Sequence, residues 1–359
     1  ENYPYLIWLA PSRIQIPAMR KDWAAQLDSY EKLIADPTVD NYYNLFKEMK
    51  DKGLVEYAMT TDGGSGDSTV RLDSIFNQAF GVTGTIVKED GKWIFSKESQ
   101  AEKNKLEFYA KLYKDGLLDP EYLTDTWDTM EQKFYEGKTG IIAGTLSSTQ
   151  IYDNKMRSVN GEESELVILP PAKGVAQGYR AEDVTKEERG FAMNIDSKNK
   201  DAAWAVLEFM ASPEGRILDK VGIEGKHYTK VEGTENVCTA EGAEVGPEGY
   251  TSLFTKYGDP TKAMTAVPNG DDYLEKVEEF NKDVPTSKSL GYVFDVTNVS
   301  AEAGAVSNVI AEHLPRLQSG NVENVDAAIE EFVNALDKAG MSAIIEENQK
   351  QLDAYMEQQ

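Results

Sequence analysis

Apolar positions along this chain fall into short continuous runs separated by stripes of helical spacing. Tyr42, Leu45, Phe46 and Met49 recur at three- and four-residue steps, with Pro37-Thr38-Val39-Asp40 before them and Gly53 behind, which predicts a capped amphipathic helix. Tyr57-Ala58-Met59 predicts a short strand that runs into the glycine-rich stretch Thr60 to Asp67. Ile86-Val87 and Trp93-Ile94-Phe95 flank Asp90-Gly91 and predict a hairpin. Further helices are expected around Leu106, Tyr109, Ala110 and Tyr113 up to Gly116, and around Trp127, Met130 and Phe134 up to Gly137. Ile141-Ile142-Ala143 and Leu166-Val167-Ile168-Leu169 read as buried strands, the second stopped by Pro170-Pro171. Gly190 to Ile195 reads as a strand before a helix whose apolar face is Ala203, Val206, Leu207 and Met210. Ser212-Pro213-Glu214 signals the start of another helix, which stops at Gly222. Stripes at Val306, Ile310 and Leu314, at Ile329, Phe332, Val333 and Leu336, and at Ile344, Ile345, Leu352 and Tyr355 predict a helical tail. Short strands alternating with helices imply α/β layering.

The 359 residues exceed one compact core and suggest two domains. Formal charge is -25, from 37 basic and 62 acidic residues. That balance argues against nucleic acid or an anionic membrane surface as partner, because both require a basic footprint. A single cysteine, Cys238, excludes an internal disulfide framework or a cysteine zinc cluster. Two histidines, His227 and His313, leave little material for general-base or metal chemistry. No run approaches the roughly eighteen apolar residues of a membrane span. The loop Thr60 to Asp67 is no phosphate loop, lacking Gly-Lys-Ser/Thr, and no calcium loop, lacking the alternating acids and a downstream glutamate. It reads either as surface loop or as a ligand-contacting turn beyond a strand end. No nucleophile elbow, metalloprotease motif or dinucleotide fingerprint is present. A carboxylate pair about 5 to 10 Å apart, as in glycoside hydrolases, stays open among so many acids.

Several phrases carry a family resemblance. Ser197 to Thr229, SKNKDAAWAVLEFMASPEGRILDKVGIEGKHYT, combines Ser-Pro-Glu-Gly with Gly-Ile-Glu-Gly-Lys-His-Tyr-Thr. Arg20-Lys21-Asp22-Trp23, KLYKDGLLDPEY at 111–122 and Gly137-Lys138-Thr139-Gly140 belong to the same set. Together they resemble family 1 extracellular solute-binding proteins, the substrate-capturing lipoproteins of bacterial ABC importers, and within them the carbohydrate binders of Gram-positive bacteria. The resemblance implies the periplasmic binding protein type II fold: two α/β lobes, a hinge, and a ligand cleft between them. It divides the chain into a remainder of the first lobe, 1–17 and 188–297, and a second lobe, 18–187 with the C-terminal helices 298–359. Hinge positions are expected at Pro17-Ala18, Glu188-Arg189-Gly190 and Val296-Thr297. Family members carry a further stretch of chain ahead of the Arg20–Trp23 motif, so this chain is expected to be short at its N-terminus.

A sugar ring presents an apolar C–H face rimmed by hydroxyls, so its binder needs aromatic platforms and planar polar groups. Trp23, Trp93 and Trp204 read as structural, whereas Trp8 and Trp127 fit no apolar stripe cleanly and stay open between packing and ligand contact. His227 reads as a structural hydrogen-bonding residue. Tyr292 and Phe294 correspond in place to a cleft-facing aromatic of related sugar binders. The ligand set expected is Asp62, Gly63, Trp127, Thr145, Ser147, Tyr292 and Asp295. No cofactor, metal or catalytic residue is expected. Partners are an oligosaccharide solute and ABC permease subunits, with no nucleic acid. The chain is expected to be monomeric and to reach the membrane only through a lipid anchor outside it. Its place is extracellular, on the surface of a Gram-positive bacterium, or periplasmic in a Gram-negative one. The alternatives are a carbohydrate-active enzyme with a carboxylate pair, a binder of peptide or another polar solute, and a scaffold whose cleft is vestigial.

Overall fold

Strand β2 (Ile16–Arg20) is the spine of the larger unit, with four of its five residues buried. The computed structural model describes residues 5–8, 14–63, 69–82, 84, 86–89, 92–180, 189–212, 214–215, 218, 223–226, 228–229, 237–238, 270–284, 292–318 and 322–357. The chain groups into two compact units, one of 14–145, 152–181 and 275–359, the other of 1–13, 146–151 and 182–274.

In the larger unit β2 leads into α1 (Lys21–Ala24), α2 (Asp28–Ala35) and α3 (Val39–Asp51). Then come β3 (Tyr57–Met59), α4 (Val70–Phe80) and the hairpin strands β4 (Ile86–Glu89) and β5 (Lys92–Phe95). After these follow α5 (Gln100–Lys114), α6 (Trp127–Tyr135), β6 (Thr139–Gly144), α7 (Leu146–Asn160), whose residues 146–151 are grouped with the other unit, and β7 (Leu166–Ile168). The sheet order is β3-β6-β2-β7, with β3 and β6 parallel and β2 antiparallel to both neighbours. Every residue of β6 is buried, so this central strand is apolar without alternation, as its sequence predicts. Pro17 and Ala18, expected at a hinge, lie inside β2 with a strand bonded on each side.

Sequence signals for the helix ends hold at several places. Thr38 caps α3 by accepting from the Asn41 N–H at 3.2 Å, and Thr126 caps α6 through the Thr129 N–H. Each such cap stabilises its helix by about 1 kcal/mol. Gly53 and Gly137 close their helices in the left-handed region, at φ 68° and 76°.

The main core gathers Met19, Met59, Ile141 and Ala143 of the sheet with Tyr42, Phe46 and Met49 of α3 and Leu72, Ile75 and Phe76 of α4. Phe76 is its aromatic hub, packing edge-on against Tyr42, Phe108 and Tyr109 at centroid distances of 5.3, 5.0 and 6.2 Å. α5 belongs to two cores. Tyr109 and Leu112 join the sheet core, while Leu106 packs with Val306, Phe332 and Leu336 of the tail.

The smaller unit contains β1 (Tyr5–Trp8) paired antiparallel with β8 (Arg189–Ala192), then α8 (Lys200–Ala211) and the two-residue strands β9 (Tyr228–Thr229) and β10 (Val237–Cys238). The expected core face of α8 is not one. Ala203 and Val206 are exposed, Val206 by 57%, and Trp204, Leu207 and Met210 are half-buried. Within the described residues this unit has only two small strand pairs, which supply little apolar surface to cover a helix. His227 and the expected hairpin turn at Asp90-Gly91 lie outside the described residues.

Chain 275–359 returns to the larger unit through α9 (Gly270–Asn281) and ends in α10 (Ser300–Gln318), α11 (Val325–Ala339) and α12 (Met341–Met356). The three tail stripes read from the sequence fall on these last three helices.

Candidate functional site

Strand order decides what meets at one end of the four-stranded sheet. β3 and β6 are parallel and β2 is antiparallel to β6, with Ile16 opposite Gly144. The residues leaving β3 (Thr60 to Gly63), those leaving β6 (Gly144 and Thr145) and Gln15 before β2 therefore share one edge. Ligands of α/β sheets bind outside such strand ends, because the loops there leave the backbone ladder and can turn side chains outward.

Arg71, in the first turn of α4, is the centre of this edge. Its guanidinium makes a two-pronged pair with the Asp62 carboxylate, Nε to Oδ1 at 2.9 Å and Nη2 to Oδ2 at 3.1 Å. Nη1 donates to the Ala143 carbonyl at 2.7 Å and also to the Gln15 side chain. The two side chains are only 3% and 9% exposed, so the pair is held almost out of water. The guanidinium carbon also lies 4.5 Å from the centre of the Trp127 ring, a cation–π stack.

Trp127 opens α6 and keeps part of its ring in solvent. Its indole N–H donates to the Glu131 carboxylate one turn on, and Tyr152 of α7 lies tilted beside it with ring centres 6.1 Å apart. The ring is therefore fixed by a cation on one face, a carboxylate at its edge and a second aromatic alongside. Burial pushes the Glu131 carboxyl up, against the bond from the indole N–H and the charge of Lys155.

The loop beneath is tied down by a second polar group. Lys133 of α6 donates to Asp119 at 2.6 Å, to Asp125 at 2.9 Å and to Glu121 at 3.1 Å. Asp125 also accepts from the Thr60 hydroxyl at 2.9 Å. Burial alone would lower the Lys133 ammonium, yet its three carboxylates hold it above the ordinary lysine value. Burial raises the Asp125 carboxyl despite the bonds from Lys133 and Thr60. The Gly63 N–H donates to the Tyr122 carbonyl at 3.0 Å, and the Asp119 N–H to that of Met59 at 3.1 Å. A Cβ on Gly63 would sit 2.5 Å from the Tyr122 oxygen, so the close approach of these loops requires glycine.

The structure thus brings Asp62, Gly63, Trp127 and Thr145 to one sheet edge. Thr145 is half-buried; Ser147 is in the first turn of α7, and its side chain lies outside the described residues. Asp62 spends both carboxylate oxygens on Arg71. Tyr292 and Asp295 form a separate group on α12. The Tyr292 hydroxyl lies 3.3 Å from the Asn348 carbonyl and its ring 5.5 Å from that of Tyr355. The Asp295 N–H and carbonyl both bond the Gln351 side chain, at 2.9 and 2.8 Å.

Three residues of this edge escape the sequence reading: Arg71, Lys133 and Tyr152. α4 was available as a stripe, since Leu72, Ile75, Phe76 and Ala79 recur at helical steps before Gly81, with Arg71 beside it. Trp93, read as structural, is 36% exposed on β5, whereas Trp23 is buried in the core as expected. Among the described residues no group of three or more His, Cys, Asp or Glu side chains is placed to hold a metal, and no helix is long and apolar enough to cross a membrane.

The chain matches the family model for bacterial extracellular solute-binding proteins over residues 7–217, and a model for a domain of unknown function over 288–357. It is 26% identical over 181 residues to a carbohydrate ABC transporter substrate-binding protein of Streptococcus pneumoniae, covering 48% of this chain but only 35% of that protein. It is 20% identical to lipoprotein LipO of Bacillus subtilis, over 92% of this chain and 67% of the relative. Among solved structures it resembles the N-glycan transport solute-binding protein NgtS of Streptococcus pneumoniae, with a TM-score of 0.67, 19% identity and coverage of 96% and 73% of the two chains. Alginate-binding protein AlgQ2 gives a TM-score of 0.67 at 17% identity, covering 97% and 74%. The fold matches these structures over nearly the whole of this chain.

Proposed function

We propose, from the premise that this chain belongs to the bacterial extracellular solute-binding protein family, that it captures an oligosaccharide outside the cell and delivers it to the permease of an ABC importer. The observation that carries the reading is the partly exposed Trp127, mounted on the buried Arg71–Asp62 pair at the sheet edge where strand-end loops converge. An indole fixed on one face and solvent-accessible elsewhere suits the C–H face of a sugar ring. The carbohydrate ABC transporter relative supports the solute class, as do structural neighbours described as binding N-glycan, alginate or, in FusA, kestose. Family membership supports capture by hinge closure and docking on a permease, and with the lipoprotein relative it supports an extracellular, lipid-anchored location.

The site favours binding over hydrolysis. Asp119, Glu121 and Asp125 are held close together here, and all three are bonded to the same Lys133 ammonium. None of the three is left as the free acid or base that glycoside hydrolysis needs.

Thermal unfolding against a glycan panel, with amino acids and peptides as controls, tests the reading. A glycan at about a hundred times its dissociation constant adds about 2.7 kcal/mol to stability, a clear midpoint shift. A shift with a glycan that is recovered intact after prolonged incubation supports it. Sugar released from the glycan, or a shift only with peptides, overturns it.

A further inference from the structure

We propose that the Trp127 edge selects neutral oligosaccharides and rejects uronate-bearing ones. The proposal rests on the carbohydrate reading above and narrows it to a chemical class.

Recognition of a sugar carboxylate calls for a cation with donors to spare, most often an arginine fork. Among the described residues, the buried Arg71 and the half-buried Lys133 stand at this edge, and each is already committed. Arg71 gives two bonds to Asp62 and two more to Gln15 and the Ala143 carbonyl. Lys133 gives all its donors to Asp119, Glu121 and Asp125. Each is therefore neutralised by the groups that position it, and Arg71 acts on the ligand only through the ring it supports. Lys155 is the further cation in the neighbourhood. It sits on the exposed side of α7, 5.0 Å from the centre of the Tyr135 ring, and its charge is felt by Glu131.

Among the described residues, against these three cations stand six carboxylates: Asp62, Asp119, Glu121, Asp125, Asp128 and Glu131. Glu131 is nearest the platform, since it holds the indole N–H itself. Asp128, exposed on the first turn of α6, adds to the same field. A uronate stacked on Trp127 would bring its carboxylate against this collar, where Arg71 and Lys133 are committed to carboxylates and the exposed Lys155 is outnumbered. A neutral ring loses nothing there, because its C–H face meets the indole and its hydroxyls can donate to carboxylate oxygens at the rim. Like-charge juxtaposition of this kind is a device for excluding wrong partners.

The test compares one glycan in two charge states on the full-length protein. Malto-, manno- and fructo-oligosaccharides are screened by calorimetry together with oligogalacturonate and oligoalginate. The best neutral binder is then oxidised at its primary hydroxyls to the uronate form. The oxidised form should bind at least about tenfold more weakly at low ionic strength. The deficit should narrow at high salt, which screens partly exposed charges, while the neutral parent stays salt-insensitive. Trp127→Ala should cost the neutral glycan about tenfold or more and Trp127→Phe much less, because phenylalanine keeps a platform. Oxidised glycan that binds as tightly as its parent overturns the selectivity. So does a screen in which only the uronate chains bind, and either result leaves the carbohydrate reading intact. Undiminished binding by Trp127→Ala overturns the platform. Silence toward every glycan overturns both readings together.

Discussion

Replacing Arg71 by methionine removes one half of an ion pair that is almost fully buried, and the consequence can be worked from the geometry. The side chains of Arg71 and Asp62 are 3% and 9% exposed, and the carboxylate has both oxygens on the guanidinium. In Arg71→Met, the Asp62 carboxyl loses its guanidinium partner in a place that water barely reaches, and the Ala143 carbonyl and Gln15 lose a donor. Breaking a buried pair in this way costs about 3–5 kcal/mol, mostly through the charge left behind. Removing both charges, as in Arg71→Met with Asp62→Leu, should restore much of the loss, because the double variant buries no uncompensated ion. Urea unfolding followed by circular dichroism measures all three chains, with a constant slope confirming that only stability has changed. The intrinsic emission of Trp127 should shift in both variants, since each removes the cation from its face. A loss below about 1 kcal/mol for Arg71→Met, the range of surface pairs, would show the pair to be solvated and the mount beneath Trp127 to be loose. Equal losses in single and double variants would refute the reasoning from the stranded charge.

Gly63→Ala should weaken glycan binding and cost about 1–3 kcal/mol, because its Cβ meets the Tyr122 oxygen at 2.5 Å and the Leu123 Cα at 2.8 Å; calorimetry and urea midpoints check both effects. Burial, reinforced by the Asp337 charge, raises the Glu98 carboxyl from 4.5 to about 7. The folded state then holds this proton more tightly than the unfolded one. Stability from Glu98 is full below about pH 4.5 and is lost as pH rises through 7. Glu98→Gln should therefore exceed the wild type in stability at pH 8, with the advantage fading toward pH 5 in paired denaturation series. Phe332→Ala empties a fully buried tail position and should cost about 3–5 kcal/mol by urea unfolding.

Local rules made most of the larger unit legible. The α3 stripe, the β6 run and the three tail stripes are one-dimensional signals, since helical and strand periods are written in neighbouring residues. The stripe on α8 shows where that logic stops. Ala203, Val206, Leu207 and Met210 have the spacing of a buried face, yet Val206 is 57% exposed. A stripe states which face a helix would bury and not whether anything arrives to cover it.

The site depends on a different kind of information. Arg71 lies beside an apolar stripe, where a cation reads as an ordinary surface residue. It becomes the centre of the edge because the loop leaving β3 returns Asp62 over the first turn of α4, and because Ala143 on β6 stands beside Gln15, just ahead of the adjacent strand β2. That adjacency is set by the order β3-β6-β2-β7, which joins residues far apart in the chain and leaves no local pattern. Trp127 was legible for the opposite reason, as an aromatic at a helix start that its apolar stripe absorbs only loosely. Its anomaly and Arg71's inconspicuousness have one cause: the two stack on each other across the sheet edge, a contact between different helices that neither helix's own pattern records.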